Sequence, residues 1–320
     1  MHPFSNNPSE TVSSLGEEKL IGLVRRWLGT ASPPAPFGIG DDCAILAPSK
    51  HAQAITVDPV IHGRHFDDTV PPRLVGAKLL KRNLSDLAAM GAAPVAAVLA
   101  LTLDPSVSIK WLENFYRGLA ACARTHRLRI VGGDIAQGTA GTLAAALTLV
   151  GRATTARLLP RAGARPGDHI YVTGTLGGSI LGRHYRFTPR LAEGAWLAAR
   201  PEVRSMIDLS DGIAKDLRAL TPAGARPELD PAAIPISRAA RKLSAADKRP
   251  ALDHALCDGE DYEMLFTVAA SARLAALEKS WRARFKKIPL TRIGRFVPLR
   301  APLAPGAIDL TACQGYEHLR

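Results

Sequence analysis

The residues best suited to chemistry in this chain are carboxylates, and they recur in short acidic turns beside apolar stretches. Asp42 follows Asp41 in Gly38-Ile-Gly-Asp-Asp-Cys-Ala-Ile-Leu46, Asp58 ends an apolar run, and Asp86 stands three residues after Asn83. Asp134 follows Gly132-Gly133, Asp208 and Asp211 share Met206-Ile-Asp-Leu-Ser-Asp-Gly212, and Glu260 and Asp261 open Gly259-Glu-Asp-Tyr-Glu-Met-Leu-Phe266. Adjacent carboxylates repel each other, and a partly enclosed turn tolerates them when a cation or hydrogen-bond donors offset the charge. Taken singly, each turn reads at least as well as a solvated loop, because exposed aspartate is ordinary. Their repetition strengthens the cation reading beside the solvated-loop one.

Secondary elements must position these acids. Leu20, Ile21, Val24 and Leu28 fall at helical spacing with Gly29 as a stop, and Ala54 to Asp58 reads as a strand. Pro71 and Pro72 open a helix that runs to Met90 and stops at Gly91. Asp86 then lies near a helix C-terminus, where an anion is misplaced unless a cation is near. The spacing predicts a strand over Pro94 to Leu103, a long amphipathic helix over Ser108 to His126, and a strand over Leu128 to Val131 that ends in a turn at Gly132-Gly-Asp134. Those two glycines suit close backbone approach to a ligand or a plain hairpin. Thr142 to Gly151 returns as a strand. The Arg-, Pro- and Gly-rich stretch from Arg152 to Asp168 marks a domain boundary. Beyond it, a strand over His169 to Thr173 enters Gly174-Thr-Leu-Gly-Gly-Ser179, a glycine turn able to hold phosphate but lacking the lysine of a P-loop. Ser210 and Asp211 read as caps of the helix that follows. Further on, a helix over Ser271 to Phe285 and a strand over Leu290 to Val297 are expected.

Composition narrows the class. With 320 residues, 47% hydrophobic and 22% charged, the chain is globular and long enough for two domains. Cys43, Cys122, Cys257 and Cys313 are scattered with no C-x-x-C pair, which suggests neither zinc nor a disulfide framework and fits a reduced cytoplasmic setting. The first ten residues carry no leader pattern, and the most apolar stretch, Leu87 to Leu103, is too short to span a bilayer. A net charge of +12 suits polyanionic partners, yet the basic residues are dispersed and aromatics make up 5%. A nucleic-acid platform is therefore not expected.

Together the stretches resemble the thiamine-monophosphate kinase family, within the aminoimidazole-ribonucleotide-synthetase-like superfamily of ATP-using enzymes. The resemblance rests on Gly38-Ile-Gly-Asp-Asp42, Thr56-Val-Asp58 with Gly63-Arg-His-Phe66, Asn83-Leu-Ser-Asp-Leu-Ala-Ala-Met-Gly91, Gly132-Gly-Asp134, Arg161-Ala-Gly-Ala-Arg-Pro-Gly-Asp168, Ile207-Asp-Leu-Ser-Asp-Gly212 and Gly259-Glu-Asp-Tyr-Glu263, in order along nearly the whole chain. It implies an α+β, two-domain PurM-like fold. After a disordered lead-in (1–12), an N-terminal domain (13–152) would pair with that of a second subunit into a β-barrel, and an α/β domain (153–320) would close over the site. The resemblance further implies several magnesium ions on Asp42, Asp58, Asp86, Asp134, Asp208 and Asp211 with Thr56, and ATP contacts from Gly133, Asp134, Arg161 and Ser210. His65, Glu260 and Tyr316 would surround thiamine monophosphate. Val57 replaces a more usual threonine, so its metal contact would come from the backbone carbonyl, and Cys257-Asp258 replaces Thr-Gly.

The reaction so implied, the last step of thiamine diphosphate biosynthesis, moves the γ-phosphoryl of ATP directly onto the substrate's phosphate. Two polyanions must meet, so cations between them are needed, and transfer is mostly positioning and charge neutralisation. A monoester phosphate with a second pKa of about 6 is already largely dianionic at neutral pH and needs no catalytic base. Two alternatives remain: another ATP-using member of the superfamily, or a non-catalytic nucleotide or thiamine-phosphate binding protein.

Overall fold

The computed structural model describes all residues except 35, 36, 40–43, 311, 312, 314 and 317–320. The chain forms two compact units, Met1–Leu87 with Ala93–Ala153, and Ala88–Ala92 with Thr154–Arg320.

The first unit contains α1 (Glu17–Leu28), β1 (Gln53–Ile61), most of α2 (Pro72–Ala89) and of β2 (Ala92–Leu103), α3 (Ile109–Thr125), β3 (Arg129–Gln137) and β4 (Leu143–Ala153). Its strands form one sheet in the order β1-β4-β2-β3, with β1 and β4 antiparallel and β2 and β3 parallel. Alternation along β4 buries Leu143, Ala145, Leu147 and Leu149, as a half-covered sheet requires. Ser108 caps α3 by accepting from the Trp111 amide at 3.4 Å. Helices α2 and α3 cross where Gly76 and Gly118 let backbones touch: a Cβ on Gly118 would lie 2.0 Å from the Arg73 carbonyl oxygen. Leu79, Leu80, Leu84 and Leu87 of α2 are fully buried and stabilise by about 2 kcal/mol each. That offsets the cost of several kcal/mol for each of the buried charges at Lys78 and Arg82 on the same helix.

Two expectations fail here. Gly132-Gly133-Asp134 is not a turn, because β3 continues through it. The pairing with β2 shifts between Ala97 and Val98, and a Cβ on Gly133 would lie 2.1 Å from the Leu99 carbonyl oxygen, so the glycines serve strand-to-strand approach. Residues 1–12 are also tied down: Ser5 and Val12 donate backbone N–H to Ser106 and Val107, each at 2.9 Å. Their polar, proline-containing composition conceals this pairing.

The second unit is a five-stranded antiparallel sheet in the order β6-β8-β5-β9-β7. In chain order its elements are β5 (His169–Thr173), α4 (Arg183–Arg186), α5 (Leu191–Ala198), β6 (Val203–Asp208), α6 (Ile213–Leu220), β7 (Ala225–Leu229), α7 (Arg238–Asp247), α8 (Ala251–Cys257), β8 (Met264–Val268), α9 (Leu274–Arg284) and β9 (Leu290–Pro298). One face packs Ile170, Val172 and Leu265 against Leu217 of α6 and Leu256 of α8. The other packs Tyr171 and Phe266 against Leu197 of α5 and Trp281 of α9. Both faces are covered, so every residue of β8 is buried rather than alternate ones, and its one polar side chain, Thr267, is bonded to Ser205 at 2.8 Å. Among the described residues, no helix is long and apolar enough to cross a membrane.

Candidate active site

In the first unit the acids meet along the seam between β1 and α2. Residues two apart on a strand are about 6.6 Å apart and residues four apart on a helix about 6 Å, so the two elements can be matched pair for pair. Thr56 Oγ1 donates to Asp86 Oδ2 at 2.5 Å, and Arg82 Nη2 meets Asp58 Oδ1 at 3.2 Å while its Nη1 donates to the Pro59 carbonyl at 2.6 Å. Arg82, one turn before Asp86 on α2, thus gives its charge to Asp58 of β1. One turn earlier, Lys78, 1% exposed, donates to the His65 carbonyl at 3.3 Å, and His65 Nδ1 accepts from the Ile61 amide at 3.2 Å. The Lys78, Arg82, Asp86 repeat at intervals of four is legible in the sequence, and the reading above missed its two cations.

Val57 points to the opposite face of β1 and is 61% exposed. Its backbone lies opposite Thr148 in the ladder. Asp134 is exposed on β3, and Gly133 and Asp134 line a cavity of about 100 Å³ walled by Ile21, Val24 and Tyr116. Asp42 lies outside the described residues. Among the described residues no three or more His, Cys, Asp or Glu side chains group closely enough to hold a metal ion. What Thr56, Asp58 and Asp86 offer is a carboxylate and hydroxyl donor set. It suits Mg²⁺, which takes one or two carboxylates and completes its shell with water and substrate phosphates.

The second unit brings a different group of candidates together. Asp208 is buried at the end of β6, and the chain then zips onto the 258–263 loop: Glu260 and Tyr262 donate N–H to the Ser210 and Leu209 carbonyls at 2.8 Å each, and Leu209 donates back to Glu263 at 2.9 Å. Tyr316 joins the group, its N–H donating to the Asp211 carbonyl at 3.0 Å and its carbonyl accepting from Lys215 Nζ at 2.7 Å. Lys215 also pairs with Asp211 at 2.9 Å. Arg161 stands apart, exposed on the segment before β5.

Glu260 (φ 52°) and Tyr262 (φ 51°) hold left-handed backbone, which is costly away from glycine and persists where the surroundings dictate it. Those surroundings are visible. The Tyr262 ring stacks on Phe187 at 3.9 Å, and its hydroxyl donates to Glu260 Oε1 at 3.1 Å. Glu263, 1% exposed, accepts from Thr173 Oγ1 at 2.7 Å, from Arg190 at 2.6 and 2.8 Å, and from Arg183. Nothing in the local sequence pairs Glu263 with arginines more than seventy positions away.

The glycine turn expected to hold phosphate is already filled by the protein's own carboxyl groups. Gly177 donates N–H to Asp261 at 2.9 Å and Gly178 to Asp258 at 3.0 Å. The turn leads only into a 3-10 turn, Ser179–Leu181. Burial pushes the Asp261 carboxyl up to about 8, against the pull of Arg183 and the Gly177 amide. Ser210 and Asp211 are not caps either. Gly212 (φ 95°) is the N-cap of α6, and Asp216 reaches back to accept both their amides at 3.1 and 3.0 Å. Burial raises Asp216 to about 7.

Residues 40–153 match the family described as AIR synthase related protein, N-terminal domain, which defines the class of fold. Thiamine-monophosphate kinase of Salmonella typhimurium is 42% identical over 278 residues, 79% of this chain and 82% of that protein. The crystal structure of thiamine-monophosphate kinase from Stenotrophomonas maltophilia superposes with a TM-score of 0.74 at 33% identity, over 89% of this chain and 96% of that one. A structure of AaThiL complexed with AMPPCP and TMP gives 0.71 at 26% identity, over 96% and 98%. The chain belongs to the thiamine-monophosphate kinase family and is a phosphotransferase.

Proposed function

We propose that the protein uses ATP to phosphorylate thiamine monophosphate to thiamine diphosphate, in line and with magnesium. The observation that carries this reading is the β1–α2 seam, where Asp58, Thr56 and Asp86 converge as an all-oxygen donor set in a chain of this family. Asp58, Asp86 and Thr56, with Asp42 and the Val57 carbonyl, are the residues proposed to hold Mg²⁺, together with Asp134, Asp208 and Asp211. Bound there, the metal would neutralise phosphate charge. Arg82 fixes Asp58, and the Thr56 hydroxyl fixes Asp86, so two carboxylates are oriented before substrate arrives. Gly133 and Asp134, beside the apolar cavity, Arg161 and Ser210 are proposed ATP contacts.

His65, Glu260 and Tyr316 are the proposed contacts of thiamine monophosphate. Tyr262 holds the Glu260 carboxylate in one orientation, ready for a cationic or hydrogen-bonding group, and Tyr316, 40% exposed, presents a ring suited to the face of a thiazolium. No side chain is asked to remove a proton, since the accepting phosphate is already ionised. The protein is proposed to act in the cytoplasm as a homodimer, with Ile55, Val57 and Ile61 on the outer face of β1 as the apolar contact.

The test is ADP release from ATP and Mg²⁺ with thiamine monophosphate, with thiamine, or with no acceptor. ADP formed only with the monophosphate, matched by thiamine diphosphate and lost in Asp86→Asn, is the expected outcome. Binding of both ligands without diphosphate would overturn the reading in favour of a non-catalytic binding protein.

A further inference from the structure

Strand β9 carries a local irregularity whose effect is chemical. His169 of β5 lies opposite Arg295 and Ile170 opposite Gly294, but Tyr171 lies opposite Arg292, so Ile293 is an extra residue in the ladder. In a regular strand, residues three apart point to opposite faces. The bulge cancels that alternation. Ile293 turns into the core, fully buried, and Gly294 passes so close to β7 that a Cβ there would lie 2.1 Å from the Glu228 carbonyl oxygen. Arg292, Arg295 and His169 consequently line one cleft of about 620 Å³, rimmed by Ala304 and Ala307 and floored in part by Glu228 and Asp230.

The acids of the cleft are already engaged. Glu228 accepts from Arg295 Nε and from the Ala304 amide, each at 3.0 Å, and Asp230 accepts from the Ala232 amide at 2.9 Å. Among the described residues the Arg292 guanidinium makes no hydrogen bond or ion pair, and Arg295 makes none through its terminal nitrogens. His169 is held below its usual range by burial first, then by Arg292 and Arg295. Asp168 pulls the other way, though its oxygens are occupied by the Arg165 and Ala270 amides and by Arg204 at 3.4 Å. The cleft thus presents planar guanidinium donors beside an imidazole that resists a further positive charge. That arrangement suits an oxyanion, for which arginine forks provide two-point recognition. Its volume is that of a small-molecule site, larger than an anion alone fills.

We propose that this cleft binds a phosphorylated small molecule, its phosphate held by Arg292, Arg295 and His169 and its body lying toward Ala304. The site uses none of the residues assigned to phosphoryl transfer and stands whether or not the kinase reading does. The full-length protein is titrated by NMR at the His169 ring, alone and with inorganic phosphate or adenosine monophosphate as probes. A bound dianion offsets both arginines, so the His169 midpoint rises with either probe, and the nucleotide acts at lower concentration.

Arg292→Ala and Arg295→Ala each weaken the response about tenfold or more, a loss of about 1.4 kcal/mol, while ADP formation with thiamine monophosphate is unchanged. Ala304→Trp, at an exposed rim position that leaves the core intact, weakens the nucleotide and spares phosphate. An unmoved His169 midpoint, a response that survives Arg292→Ala in full, or a response to inorganic phosphate alone would each overturn the assignment.

Discussion

Asp86 and Asp261 are both carboxylates with satisfied oxygens, and they face opposite constraints. Asp86 accepts from a hydroxyl on a half-buried seam, so an amide can replace its acceptor role but not its charge. Asp86→Asn is accordingly expected to leave the unfolding midpoint nearly unchanged and to lower kcat on the order of a hundredfold, a size typical of losing one electrostatic contact in a reacting site. Equal losses of stability and activity would instead mark Asp86 as structural. Asp261 is sealed from water, and its folded pKa of about 8 stands well above the ordinary 3.8. Between those values the folded state holds a proton that the unfolded chain has released. The stability this carboxyl contributes is therefore full below about pH 4 and falls as pH rises toward 8. Asp216, raised to about 7, adds a slope of the same sign over a narrower window. Asp261→Asn, which mimics the neutral acid, should flatten most of this decline in urea titrations run from pH 5 to pH 8. An unaltered slope would show that Asp261 is ionised in the fold. Tyr262→Phe removes only the hydroxyl on Glu260, so it should raise KM for thiamine monophosphate several-fold with KM for ATP unmoved.

The zipper between the 208–212 and 258–263 segments shows why elements were more legible than loops. Periodicity marked α1, α2, α3, β4, β5, α9 and β9, because each is long or bounded by glycine or proline. It did not mark β3 beyond Val131, since glycine usually ends a strand, and here a bulge uses two glycines to keep one going. Nor did local sequence reveal that the Gly174-Thr-Leu-Gly-Gly turn is occupied by Asp258 and Asp261, eighty residues downstream. Anion-binding backbone is readable from glycines, but the identity of the anion is a tertiary fact. Of the candidate site, the acids were legible as a set. The arginines that hold Glu263, Arg183 and Arg190, were not, because salt bridges across long separations leave no periodic trace. Gly259 tests the zipper directly. It has φ 74°, and a Cβ there would lie 2.6 Å from the Ser210 carbonyl oxygen, the acceptor of the Glu260 amide. Gly259→Ala should cost about 2 kcal/mol or more in urea unfolding, combining the left-handed backbone penalty with a clash against backbone that cannot rotate away. A cost within a few tenths would mean that the loop relaxes freely.

At the scale of the molecule, β1 does two jobs on its two faces. Thr56 and Asp58 point toward α2, whereas Ile55, 72% exposed, and Val57, 61% exposed, alternate with them on the other side together with Ile61. β1 is also an edge strand, and an apolar stripe on an exposed edge is a liability that proteins usually blunt with lysine or proline. Pro59 is the only such device on this strand. The retained stripe is therefore argued to be covered by a second copy of the chain, in keeping with the proposed homodimer. Replacing Ile55 and Val57 together with glutamate places two charges on the stripe without touching the ladder or the Thr56–Asp86 contact. Wild-type protein should elute as a dimer by size-exclusion chromatography with light scattering, and the double variant as a monomer with unchanged circular dichroism. Because these side chains point away from Thr56 and Asp58, ATP binding by the monomer reports whether pairing supports the seam or only covers the sheet: unchanged affinity assigns the stripe to assembly alone, and a joint loss ties the proposed metal-binding face of β1 to the proposed dimer face through the strand itself. A wild-type protein that is monomeric at micromolar concentration would remove the assembly argument altogether and leave the stripe unexplained.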